Sequence, residues 1–541
     1  MTVALAVRAV WSAKGALQVN QSVRFFIKRF YSNGRNRMVN LPFGYVYDER
    51  MLDHECRYDG TMQERPQRMT LIHERLEKDG FLKGAVKVEA REASDDELLL
   101  NHPGTLIQEL DSLKTDEECE EYCRDKEILW LCSKSAHAAR IAAGGTIELV
   151  KANVEGRVGN SFAIVRPPGH HAFGKTPMGY CVYNNVATAA KYATDRLGLK
   201  KVAVVDFDYH AGNGTHYSLR GDPRFHFTSF HAFHHGAFWP YSSEFDYNTK
   251  YENTLMFPLN GAMNTETDYV SAFHQLLLPM LRSFKPELIL VSAGFDSGYY
   301  DLQKEQGQGV KAHGYGHMVR LLNEICPNRV IAVLEGGYYP TNYTEGASML
   351  VRGLKGLPLP HLEIGKLSPA FKETMWDNIL YHSLRYPSLK QWLQKLQDNQ
   401  KKRGLPEYHS NPTLNLGRGV RDVWDETKRT RAVRTREWFP DLSPEQKLDS
   451  DRAIAAYVKA YDYSKPTENP SEESLLEQMT WTERSEVEAF VHKAPICLAF
   501  INEFTEFLQG KSQSMMICDR KLLDVKELKP SCTQLFGSSL N

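Results

Sequence analysis

Val202-Ala-Val-Val-Asp-Phe-Asp-Tyr-His210 begins with four apolar residues and ends with two carboxylates and an imidazole. An apolar run without alternation reads as a strand covered on both faces, as in a parallel sheet. Three other stretches have the same form: Phe162-Ala-Ile-Val-Arg-Pro-Pro-Gly-His-His171, Leu288-Ile-Leu-Val-Ser-Ala-Gly-Phe-Asp296 and Val330-Ile-Ala-Val-Leu-Glu-Gly-Gly-Tyr338. Open α/β sheets bind ligands outside the carboxyl ends of their strands. Polar residues that are distant in sequence, each just past a strand, can therefore converge there. Between Tyr45 and about Gly356, apolar runs alternate with longer amphipathic stretches, the βαβ pattern. The expected fold is a doubly wound, mainly parallel α/β sheet with helices on both faces and catalytic loops at the strand C-terminal ends. Arg68–Leu76 and Ser135–Val150 read as helices, the second with Ala and Gly where close packing on a sheet needs small residues. The stretches His170–Tyr183, His231–Tyr247 and Gly298–Tyr315 are rich in Gly, Pro and aromatics, and loops that long usually carry function.

The 541 residues exceed one average domain, so a core of roughly 350 residues with additions is expected. The expected division is a basic extension over 1–40, a catalytic domain over 41–395 and a charged, partly helical extension over 396–541. A formal charge of −1 gives no global field for nucleic acid or membrane, and no apolar run is long enough to span a bilayer. Nine cysteines without a repeating spacing point to reduced thiols in an intracellular compartment rather than a disulfide framework. Cys119 and Cys123 lack the second pair that a zinc finger needs. Lys428–Arg436 is a basic cluster, read first as a solvated face and second as a nuclear import signal. Ser485–Leu508 is apolar at helical spacing.

Asp208 and His210 alternate on a segment read as extended, so their side chains share a side. Asp296, after another strand, completes a set of two carboxylates and one imidazole. Three protein ligands leave a position for water and substrate, the mark of a catalytic zinc site, and Fe²⁺ or Co²⁺ fits the same donors. Two carboxylates cancel the ion's formal charge. Bound water is then less acidified than on an all-histidine zinc, where its pKa is about 7, and a nearby base is needed. His170 and His171 supply it as general base and acid. Each ring needs a partner on its other nitrogen: Asp206 for His170 and Asn213 for His171. Tyr338, held by Gly336 and Gly337, is placed to donate to the oxyanion of a tetrahedral intermediate. A lone Asp-x-Asp, His-His or Gly-Gly-Tyr is weak evidence, and most such residues are structural. The conjunction of four motifs, each at a strand end, carries the reading.

These residues give the chain a clear likeness. Tyr45 to about Leu393 resembles the zinc-dependent histone deacetylase family, arginase-like in fold, and within it class II, with a single class IIb-like catalytic domain. The likeness lies in Tyr47-Asp-Glu-Arg-Met51, Glu64-Arg-Pro-Gln-Arg68, Val165-Arg-Pro-Pro-Gly-His-His171, Ser292-Ala-Gly-Phe-Asp296 and Leu334-Glu-Gly-Gly-Tyr338. It implies hydrolysis of N-acetyl-lysine on histone tails or cytosolic proteins, one Zn²⁺ on Asp208, His210 and Asp296, and a nuclear or cytoplasmic address with corepressor or scaffold partners. It also implies a substrate tunnel at Gly179, Tyr180 and Trp239, and a rim residue at Gln303. Structural K⁺ would sit at Asp206 and Ser229 with backbone carbonyls near Asp208, His210 and Phe230. Three departures stand out. The usual Asp-x-His-His-Gly reads Asp208-Tyr-His-Ala-Gly212. The loop after Asp296 reads Ser-Gly-Tyr-Tyr-Asp-Leu-Gln303 where relatives have Gly-Asp-Pro and a rim residue. Tyr180 and Trp239 replace a phenylalanine pair.

An acetylpolyamine deacetylase is the nearest rival, weakened by a neutral Gln303, with Glu305 close by. A binuclear arginase-type hydrolase lacks its additional ligands in these motifs, and a non-catalytic acetyl-lysine-binding scaffold sits poorly with Tyr338, Asp296 and His171 all in place. Separately, the first forty residues hold seven Arg or Lys and no Asp or Glu, and Arg29-Phe-Tyr-Ser32 resembles a presequence cleavage site. Residues 1–37 read in either of two ways: as a presequence that directs the full-length form to mitochondria, or as a disordered basic tail upstream of Met38 that leaves the nuclear or cytoplasmic address in force. On the first reading a full-length fusion should enter the organelle and mature near Ser32, whereas one begun at Met38 should stay in cytosol or nucleus. An intact Met1 end on cytosolic protein would refute the presequence.

Overall fold

The computed structural model describes residues 41–60, 62–236, 238–260, 264–299, 301, 309–410 and 443–481. The basic N-terminal segment, Gln303 and Glu305, the Lys428–Arg436 cluster and the Ser485–Leu508 stretch lie outside the described residues.

Eight strands form one sheet in the order β2-β1-β3-β8-β7-β4-β5-β6. They are β1 Gly44–Val46, β2 Val86–Lys87, β3 Ser161–Ala163, β4 Val202–Asp206, β5 Phe225–Ala232, β6 Thr254–Leu259, β7 Leu288–Ala293 and β8 Val330–Leu334. Every pairing is parallel. The four apolar runs that read as strands are β3, β4, β7 and β8, and the sheet sets them side by side as β3-β8-β7-β4. Every residue of these four strands is buried, as expected where helices cover both faces of a parallel sheet. Register aligns their ends: Asp206 lies opposite Ser292 on β7 and Ser229 on β5, and Ala293 lies opposite Leu334 on β8. Residues leaving β4, β7 and β8 therefore emerge at one level.

Two helices read from sequence appear as Gln67–Lys78 and Ser135–Val154. The second helix is almost wholly buried, and its glycines explain how it fits. A Cβ on Gly144 would lie 2.0 Å from the Arg91 carbonyl oxygen, and one on Gly145 would lie 2.9 Å from Val46 Cγ1 on β1. The extended reading of Asp208 and His210 is corrected: β4 stops at Asp206, and residues 208–210 form a bend. Hydrogen bonds to side chains replace the ladder there, with the Asp208 and His210 amides donating to Asp206 Oδ1 and Asp208 Oδ1.

The helix Pro387–Lys402 runs across position 395. Beyond it, the helices Pro444–Lys459 and Glu472–Met479 pack on the same core, where Met479 and Trp481 are buried. Among the described residues six cysteines are free and buried, and no helix is long and apolar enough to cross a membrane.

Candidate active site

The bend after β4 brings Asp208 and His210 against Asp296, which follows β7. His210 Nδ1 lies 3.0 Å from Asp296 Oδ2 and 3.3 Å from Asp208 Oδ1. One ligand atom from each residue falls within 4.8 Å of the others. Such spacing suits a cation held at about 2.0–2.2 Å from carboxylate and imidazole donors. The electrostatics point the same way. Burial, then the Asp208 charge, lifts the Asp296 pKa to about 7, because two carboxylates crowd one buried site. Small residues make the crowding possible: a Cβ on Gly294 would lie 1.9 Å from Asp208 Oδ2, and one on Gly336 would lie 2.6 Å from it.

His170 and His171 stand beside this set, their rings 3.9 Å apart. His170 Nδ1 donates to Asp206 Oδ2 at 3.0 Å, and His171 Nδ1 donates to Asn213 Oδ1 at 2.8 Å. The two partners expected from sequence are thus in place, and His170 Nε2 lies 3.7 Å from Asp208 Oδ1. Their surroundings drive the rings apart. Burial opposes charge on His170, but Asp208 and Asp206 outweigh it and raise its pKa to about 10. Burial, reinforced by His170 and His210, pushes His171 well below the usual histidine value. A charged His170 beside a neutral His171 is a ready acid–base pair.

Tyr338 closes another side of the site. Its ring meets Tyr180 edge-on at 5.9 Å. Burial raises its pKa well above the ordinary tyrosine value despite the nearby Arg68, so its hydroxyl remains a donor. Gly337 precedes it at φ +104°, where a Cβ would lie 2.7 Å from that of Phe295. Gly179 and Tyr180 both adopt positive φ, and a Cβ on Gly179 would press on the His171 ring at 2.5 Å. Trp239 meets His171 edge-on at 4.7 Å. The tunnel residues expected from resemblance therefore border the histidine pair and Tyr338. Ser229, expected for potassium, is buried opposite Asp206.

Several residues outside the expected set hold the site together. Glu335 is fully buried, and its Oε2 accepts from the amides of Gly169 and His170 at 2.7 and 3.1 Å. Those bonds pin the histidine loop to β8 and draw Glu335 close to His170 and Cys181. Arg68 donates to the carbonyls of Gly337 and Glu335 at 2.7 and 2.5 Å. Glu64 joins Arg68 to Arg166, whose guanidinium reaches both Glu64 oxygens at 2.5 and 2.6 Å. Asp301 Oδ2 accepts from the amides of Tyr338 and Tyr339 at 2.7 and 3.1 Å. Glu127 accepts from the Trp239 indole at 2.9 Å. The signal for the ion cluster was visible as charges at i and i+4 in Glu64-Arg-Pro-Gln-Arg68. The long-range partners were not.

The comparisons with known proteins agree with this geometry. A family model described as the histone deacetylase domain matches residues 62–354. The chain belongs to the histone deacetylase family. It is class II-like: human polyamine deacetylase HDAC10 is 38% identical over 325 residues, covering 59% of this chain and 47% of that protein. Arabidopsis thaliana histone deacetylase 5 is 34% identical over 320 residues, covering 57% of this chain and 47% of that one. The chain thus spans about half the length of these curated relatives. The crystal structure of the HDA15 HD domain superposes with a TM-score of 0.61 at 30% identity, covering 66% of this chain and 99% of that one.

The Glu64 cluster yields a stability prediction. Burial alone would raise the Glu64 pKa, but Arg166, His54 and Arg68 outweigh it and hold the carboxyl well below the usual carboxylate range. A depressed pKa means the stabilisation is present above the unfolded-state value and is lost as pH falls through the folded one. Glu64→Gln should cost about 3–5 kcal/mol at neutral pH, because it strands buried guanidinium charge. The gap from wild type should narrow only in strong acid. Urea melts at several pH values measure it, and a cost below about 1 kcal/mol would place the pair among weak surface bridges.

Proposed function

We propose that the chain hydrolyses N-acetyl groups from lysine side chains of proteins, histone tails or cytosolic proteins, releasing acetate. The observation that carries this reading is the histidine pair, each ring already oriented by its own partner, facing three convergent metal ligands with Tyr338 alongside. Asp208, His210 and Asp296 would hold the cation, with Zn²⁺ as the family's expectation. When bound, it supplies Lewis acidity and a lowered pKa for coordinated water.

The chain's own residues do the rest. His171, neutral, accepts at Nε2 the proton of the attacking water, while Asn213 fixes its tautomer. His170, hydrogen-bonded through Nδ1 to Asp206, stabilises negative charge as it develops. The proton gathered by the pair passes to the departing amine as the C–N bond breaks. Tyr338 donates its hydroxyl to the oxyanion, an interaction stronger in the transition state than in the ground state. Tyr180 and Trp239 flank the substrate stem and keep out water. Structural K⁺ beside Asp206 and Ser229 would steady the same strand ends.

A second substrate class has its own support. The human relative is named a polyamine deacetylase. Here Glu127 places a carboxylate against Trp239, where a cationic substrate could be met. A panel of acetylated histone and tubulin peptides and acetylated spermidine separates the two readings by kcat/KM. Preference for the acetylpolyamine would replace the leading one.

Two substitutions test the chemistry. Asp296→Ala should retain the fold, because the residue lies past its strand, and should lose bound metal by elemental analysis together with turnover. A metal-free variant with full activity would sink the ligand assignment. Tyr338→Phe should lower kcat by about 10²–10³ with little change in KM. A change confined to KM would mean Tyr338 only lines the tunnel.

A further inference from the structure

The family match ends at residue 354, yet residues 443–481 pack on the catalytic core and one of their helices reaches the active-site loop. The segment is anchored at both ends. At its far end Trp481 is buried and stacks near Tyr408, and the Trp376 indole donates to the Met479 carbonyl at 2.9 Å. Along its middle, Tyr457 and Tyr461 pack on buried Ala312, Met349 and Leu359, and the His361 amide donates to the Asp462 carbonyl at 2.7 Å. At its near end the helix Pro444–Lys459 meets the residue that follows the catalytic tyrosine. The Tyr339 hydroxyl donates to the Lys447 carbonyl and to Asp451 Oδ1, both at 2.8 Å. Thr341 adds a hydroxyl to the same Asp451 oxygen at 2.5 Å. Tyr457 also meets Tyr299, in the loop after Asp296, edge-on at 5.8 Å.

These contacts matter because of what stands on the other side of Tyr338. Gly336 and Gly337 have no side chains to lock their backbone, and Gly337 already sits at φ +104°. Arg68 restrains that side through two carbonyls. On the following side, Asp301 takes the amides of Tyr338 and Tyr339, and the Tyr339 side chain is only 3% exposed. Between a glycine hinge and the helix Pro340–Leu354, the setting of Tyr338 depends on how firmly Tyr339 is held.

We propose that residues 443–481 form a built-in strap of the active site, in which Asp451, through the Tyr339 hydroxyl, is a positioning residue for Tyr338. The proposal rests on the reading of Tyr338 as the oxyanion donor. The strap adds no group to the chemistry. It narrows the positions the Tyr338 hydroxyl can take, so its loss should appear in kcat and leave metal binding alone.

The test uses the full-length chain with Tyr339→Phe and Asp451→Ala, singly and together, each also combined with Tyr338→Phe. Losing one hydrogen bond of this kind should lower kcat about threefold to tenfold, with KM and bound metal unchanged. The double variant should lose less than the product of the two single losses, because the substitutions share the Tyr339–Asp451 contact, while Tyr339→Phe also frees the Lys447 carbonyl and Asp451→Ala also frees Thr341. In the Tyr338→Phe background neither should slow turnover further. Amide hydrogen exchange over residues 335–341 should quicken in Asp451→Ala, a readout that needs no turnover. Unchanged kcat or exchange in both single variants would overturn the strap, as would a further loss in the Tyr338→Phe background. Unchanged kcat in Tyr338→Phe alone would instead overturn the oxyanion assignment, leaving the exchange measurement to decide whether Asp451 still fixes the loop.

Discussion

Four buried carboxylates, Asp206, Asp208, Asp296 and Glu335, crowd the C-terminal ends of three adjacent strands, and their mutual repulsion is the constraint around which the site is built. A buried charge without compensation is costly, so each of the four has a distinct remedy. Asp206 is neutralised by His170, and Glu335 is satisfied by two loop amides and the Ser292 hydroxyl. Asp208 takes the amides of His210 and Gly336. What amides and His210 leave uncompensated at Asp208 and Asp296 is the charge a divalent cation would answer. Stability alone would favour apolar residues at these positions. The geometry is one that makes sense for chemistry.

Holding such a cluster still requires a rigid shell. Glu64, Arg68 and Arg166 form one from charge alone, reaching from the start of the Gln67–Lys78 helix to the carbonyls of the Glu335-Gly-Gly337 turn and the residue ending the β3 run. Glycines do the complementary work, because Gly294, Gly336 and Gly179 stand where any Cβ would collide with a ligand or a catalytic ring. Charge fixes the backbone, and missing side chains let it approach. The acid–base split between His170 and His171 follows from the same placement, since one ring faces two carboxylates and the other faces an amide oxygen.

Much of this was legible in the sequence because it is local. Unbroken apolar runs gave β3, β4, β7 and β8, and polar residues just past their ends gave the ligands, the histidine pair, Asp206, Asn213 and Tyr338. The order of strands was not legible, since a parallel sheet joins neighbours through long crossovers that leave no mark of who pairs with whom. Asp208 and His210 were placed on the correct side for a partly wrong reason: a bend, not an extended strand, brings them together. Glu335, Arg68 and Asp301 escaped notice as site residues because the bonds that tie them to the site go to backbone groups, and a backbone group has no identity in a sequence. The packing of residues 443–481 escaped for a related reason. Its contacts rest on a few tyrosines, Met479, Trp481 and one aspartate in a charged stretch without strong periodicity.

The central claim is that this scaffold is a metal-dependent deacetylase, and the most direct measurement is acetate release from an acetyl-lysine peptide by the full-length protein before and after chelation. Stripping the metal should abolish release, and adding back one equivalent of Zn²⁺ should restore it, with Fe²⁺ or Co²⁺ run in parallel to identify the ion that serves. Undiminished release from protein shown by elemental analysis to carry no metal would contradict the account.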